Sequence, residues 1–139
     1  MAYFQNQGPQ DAVGSSSYAL GPQLFDPTLA TGGGGQSFAN GLTATAGGTR
    51  AAALPLRASM NRITTCATAA DSVALPPAVG GQEVTIINSG AAAAQVFAAV
   101  GTSDTINGVA AATGISLAAA GKAQFVSPGP GLWFSILSA

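Results

Sequence analysis

The sequence predicts an all-β protein: a small β-sandwich or jelly-roll-like barrel preceded by an extended N-terminal arm. Three observations point there. Residues 58–139 hold short runs rich in β-branched residues, with apolar and polar positions alternating. Gly, Pro and Asn turn signals separate the runs at roughly 8–12 residues, the spacing of small sandwiches and barrels. Residues 1–57 instead carry Gly-Pro, Asp-Pro, "SSS" and "TGGGGQS", with little periodicity.

The arm comes first. Tyr3, Phe4, Tyr18, Leu20, Leu24, Phe25 and Phe38 are scattered along it. A solvated linker has little use for such groups. They are candidate anchors that dock on a partner, in a segment that orders on binding. "TGGGGQS" reads as a flexible hinge, because it lacks the Gly-Lys-Ser/Thr ending of a phosphate loop.

The β domain follows. "NRITTCAT" (61–68) is a strand by its β-branched content. "SVALPPAVGGQEVTIINSG" (72–90) reads as a strand, a turn at Pro76-Pro77, a second strand and a second turn. In "EVTIIN", Val84 and Ile86 share one face while Thr85 and Ile87 share the other. "AQVFAAV" (94–100) is expected to pair back on it as a hairpin. The longer segment Ala91–Val100 also suits a helix by its alanines, but the flanking turns leave only about three helical turns, too short to stand alone. "DTINGV" is a short strand or turn with Asn107-Gly108 at its tip. "GISLAA", Gly121-Lys122 and "AQFVSP" read as another hairpin, "SPGPG" as a loop and "LWFSIL" as the closing strand. Val84, Ile86, Val96, Phe125, Trp133 and Phe134 are the expected core or subunit contacts. "LPPAVGGQEVTI" and "LAAAGKAQFV" echo each other: Leu, small residues, a Gly turn, then a strand.

Composition narrows the function. Charged residues make up 6% of the chain, against roughly 25% in ordinary globular proteins. Hydrophobic residues make up 47%, but Ala is the commonest of them, and there are six Phe, two Tyr and one Trp. So thin a core is marginal in a small domain, and association with other copies or a host surface is the expected remedy. Arg50, Arg57, Arg62 and Lys122 are the only cations, too few for nucleic-acid binding by phosphate neutralisation.

The sequence contains no histidine, which excludes Ser-His-Asp and Cys-His catalysis and histidine zinc sites. Asp71 and Glu83 fall in adjoining predicted strands, where a carboxylate pair would be a glycosidase signature, but ordinary strand-edge carboxylates are the simpler expectation. Cys66, the single cysteine, reads as a small buried hydrophobe. No enzyme activity, cofactor or metal is expected. "MAYFQNQGPQ" lacks a signal-peptide pattern, and no apolar run reaches transmembrane length, so no membrane partner is expected.

Residues 63–134 also resemble a known group. "LPPAVGGQEVTIIN", "DTING" and "SLAAAGKAQFV" with the late Trp133 are similar to small structural proteins of tailed-bacteriophage virions. The resemblance implies a virion β domain. A head decoration (cement) protein fits the division into arm, hinge and domain, with the major capsid protein as partner. A fibre, spike or adaptor domain for host attachment is the alternative. Under the first, residues 1–57 grip the capsid through the arm's anchors, the β domain faces outward, and the protein is a homotrimer suited to three-fold junctions. It is made in the host cytoplasm and ends on the outer surface of the virion.

Overall fold

The computed structural model describes residues 36–138. Ser37 opens a compact unit that continues through the rest of the described chain. Ten strands lie in it: β1 (Phe38–Thr43), β2 (Leu54–Pro55), β3 (Met60–Thr65), β4 (Ser72–Ala74), β5 (Glu83–Asn88), β6 (Ala94–Phe97), β7 (Thr105–Ile106), β8 (Ile115–Leu117), β9 (Lys122–Gly129) and β10 (Leu132–Ser138). A six-stranded sheet has the order β1-β3-β5-β9-β10-β7, and a four-stranded sheet the order β2-β4-β6-β8. The all-β class holds.

The sandwich or jelly-roll topology does not. Through β6 the chain alternates between the sheets, and each strand pairs in parallel with the one two places earlier: β1 with β3, β3 with β5, β2 with β4, β4 with β6. The result is three stacked coils, solenoid-like, in which each crossover through one sheet supplies the long connection that parallel neighbours in the other require. The expected hairpin of 83–88 with 94–100 is therefore absent, and so is the hairpin across Gly121-Lys122. Link length is not the reason, since five residues separate Asn88 from Ala94 and four separate Leu117 from Lys122, both within the about 2–5 of hairpin loops. These links cross from one sheet to the other, so the strands they join have their pairing partners elsewhere.

The five-residue link from Asn88 to Ala94 is used to turn a corner. Asn88 is fully buried, and its Nδ2 donates to the carbonyls of Ala92, Leu117 and Ala118 at 2.9–3.1 Å. The corner stacks on its neighbour: Ser89 N donates to Ile63 O and Ala92 N to Cys66 O. Gly90 lies so close that a Cβ there would stand 2.5 Å from Cys66 Cβ.

After β6 the direction reverses. β8 runs antiparallel to β6, and β9 antiparallel to β5. β9 and β10 form the one tight hairpin among the described residues, turning at Gly131, whose φ is +81°. At the far edge β7 pairs with β10, and Asn107 Oδ1 accepts the Ser135 amide at 3.0 Å. Asn107 and Gly108 both have positive φ, as an Asn-Gly tip requires. The echoed segments prove equivalent in place. Each carries the chain from the four-stranded to the six-stranded sheet, Leu75 and Leu117 are both buried, and the strands that follow, β5 and β9, are neighbours.

One core fills the space between the sheets, with Ile63, Ile86, Phe125 and Trp133 facing Val73, Val96 and Leu117. The arm's expected boundary is displaced. β1 and β2 both fall within residues 1–57, because Leu42 and Leu54 pack on that core. Gly41, at φ +81°, sits at a register shift in β1 that turns Leu42 inward.

Candidate functional site

The two sheets treat their outer faces differently. On the four-stranded sheet Ala74 and Phe97 stand side by side and form a small buried cluster with Ala53. The chain itself covers this part of the face, while Ser116 at the edge stays exposed. A 3-10 turn, Arg50–Ala52, lies beside it. Arg50 clasps the segment after β6: Nε donates to Ala98 O at 3.3 Å, and Nη2 donates to Ala99 O and to Thr102 O, the latter at 2.7 Å. Gly114 lies against the Phe97 ring, where a Cβ would be 3.0 Å from Cε1.

The outer face of the six-stranded sheet is open. Three rows cross it. The middle row is Phe38–Met60–Thr85–Gln124–Ile136, in register over five strands. On one side runs Asn40–Arg62–Ile87–Lys122–Ser138. On the other runs Glu83–Val126–Phe134. Phe38 is 62% exposed, Ile136 61%, Phe134 44% and Met60 42%. Two open depressions mark the face. One, of about 330 Å³, is lined by Thr85, Lys122, Gln124 and Ile136, and the other, of about 260 Å³, by Phe38, Met60, Arg62 and Ile87.

Charge on this face is sparse and ordered. Arg62 donates to Ser89 Oγ at 3.0 Å and to Asn40 Oδ1 at 3.3 Å. Glu83 accepts from Gln124 Nε2 at 3.3 Å. Among the described residues neither Glu83 nor Lys122 has an ion-pair partner.

The expected site residues divide. Val84, Ile86, Val96, Phe125 and Trp133 are buried in the core. Phe134 is exposed on the open face, because it follows Trp133 on one strand and successive side chains point to opposite sides. Phe38 lies on the same face. Tyr3, Phe4, Tyr18, Leu20, Leu24, Phe25 and most of the glycine-rich stretch lie outside the described residues. Met60, Ile136 and the Arg50 clasp were missed. For Ile136 the signal was present in the alternation of "LWFSIL".

Asp71 and Glu83 do not form a pair. Asp71 precedes a strand of one sheet and Glu83 opens a strand of the other. The Asp71 carboxylate closes a loop on Thr68 Oγ1 and on the amides of Ala67 and Thr68 at 2.6–3.1 Å. Hydrogen bonds from the Thr68 side chain and the Thr68 and Ala67 amides hold its pKa below the ordinary carboxylate value. Cys66 is buried, and burial followed by the nearby Asp71 charge pushes its thiol pKa up. Asp104 accepts the Ala78 amide at 2.8 Å. Among the described residues no group of three or more Cys, Asp or Glu is placed to hold a metal ion, and no helix is long and apolar enough to cross a membrane.

Comparison with protein-family models, curated proteins and solved structures finds no match to this chain.

Proposed function

We propose that this chain is a head decoration (cement) protein of a tailed bacteriophage. It binds the outside of the major capsid protein shell and stabilises the head against genome pressure. One feature of the fold carries the reading: a whole sheet face turns Phe38, Met60, Phe134 and Ile136 outward, while on the opposite face the chain itself covers Ala74 and Phe97. Fully burying a large apolar side chain is worth about 1.5–3 kcal/mol, so such a face is worth several kcal/mol to an assembly, before ordering costs. The sequence resemblance over 63–134 and the low charge support the same reading.

The capsid grip belongs to the segment before Ser37, with Tyr3, Phe4, Tyr18, Leu20, Leu24 and Phe25 as anchors, while Phe38 belongs to the sheet. A homotrimer suits the three-fold junctions of an icosahedral shell, and engagement through three arms multiplies affinity through effective concentration. The fibre or spike reading has one feature in its favour, the stacked coils, since such an architecture lengthens by repetition.

The test uses the full chain with Tyr18, Leu24 and Phe25 changed to Ser. This variant is expected to leave heads undecorated, and heads lacking the protein are expected to release DNA at lower temperature than decorated ones. Full decoration by the variant would remove the anchors from the account. Binding to tails but never to heads would replace decoration with the fibre reading.

A further inference from the structure

We infer that the open face of the six-stranded sheet is where copies of this chain meet, in a ring of three whose axis runs across the strands. The inference rests on the self-association in the proposed function and names its surface and direction.

The occupant is set by charge. Arg62 and Lys122 are the direct cross-strand neighbours of Ile87 on either side. Their Cα atoms are thus separated by about two strand spacings, roughly 9–10 Å, with Ile87 between them. Glu83 lies four residues away on the same strand as Ile87, about 13 Å along it. The cationic row and the anionic row therefore border the apolar middle row on opposite sides. Among the described residues of one copy Glu83 reaches only Gln124.

An axis across the strands places the cationic row of one copy against the anionic row of the next. Strand order is kept, so each Glu83 comes to the neighbour's Ile87, between Arg62 and Lys122. The middle row, with Phe38, Met60 and Ile136, then lines the axis, and Phe134 borders the neighbour. An axis along the strands would instead set cations against cations. Head-to-tail contact of two different rows closes into a ring when the rotation is a simple fraction of a turn, and three copies give such a ring.

Charge reversal tests this, with circular dichroism confirming that each variant keeps its fold. Wild type is expected to sediment at three times the 13.4 kDa chain mass. Glu83→Lys alone, and Arg62→Glu with Lys122→Glu, are each expected to lower trimer affinity at least tenfold. All three changes together should restore it. A mixture of the two partial variants should not close a trimer, because an odd ring cannot alternate them without one like-charge contact. A mixture that forms stable pairs would put a two-fold axis there and overturn the ring. Association unchanged by Glu83→Lys, or a monomeric wild type at micromolar concentration, would overturn the surface. No heads are present, so this can fail while capsid binding stands, and the reverse.

Discussion

The outer faces of the two sheets are opposites built from similar strands. On the four-stranded sheet the large group is Phe97, and Ala53, Gly114 and the Arg50 clasp cover it. On the six-stranded sheet large side chains stand out at Phe38, Met60, Phe134 and Ile136, and no described segment crosses them. A chain poor in large residues has spent several where its own fold gains nothing from them. The difference separates what the fold needs from what an assembly needs.

The largest effects should fall where neither face is involved. Ile86→Asp places an unpaired charge in the core and should cost several kcal/mol, measured by urea unfolding. Ile136→Asp, on the open face, should change unfolding of the monomer by no more than about 0.5 kcal/mol yet abolish association. Equal losses from the two would erase the distinction between core and open face.

Breaking the seal comes next. Arg50→Ala leaves the carbonyls of Ala98, Ala99 and Thr102 without the guanidinium, and should cost about 2 kcal/mol. Hydrogen exchange should speed locally in residues 98–104, and association should be unaffected. Faster exchange across the six-stranded sheet as well would mean the two faces are not independent.

The coil corner gives a pH effect. The Asp71 pKa is lowered on folding, so its contribution is fully present above the ordinary carboxylate value of 3.8 and is lost as pH falls through the folded value. Thermal unfolding followed from pH 6 to pH 2 should show a destabilisation that is smaller in Asp71→Asn.

The smallest effect is a gain. Ala120 has φ +62° and carries a Cβ in the left-handed region. Ala120→Gly should raise stability by about 0.5–1 kcal/mol, seen as a higher Tm, with both faces unchanged.

Much of this was legible along the chain, and less of it across the chain. "EVTIIN" is β5 residue for residue, and the Asn107-Gly108 tip and the last strand are where turn chemistry put them. Local alternation and turn residues fix such features. Sheet membership is decided by pairing between strands distant in sequence, which period-two patterns do not encode. A strand followed by a five-residue link serves a hairpin or a corner equally well until the burial of Asn88 decides it. β1 was hidden in the arm because Gly41 breaks its alternation at the bulge. The open face is half visible: Trp133 and Phe134 are both expected as core or subunit contacts, and neighbours on one strand point to opposite sides, so only one of the two can face the core.

Sedimentation equilibrium of the unmodified chain across micromolar concentrations, beside Ile136→Asp, decides whether the open face joins copies of the chain. Wild type should form a species of three times the 13.4 kDa chain mass, and the variant should be folded and monomeric. A monomeric wild type, or a trimer that survives Ile136→Asp, would contradict that role for the face.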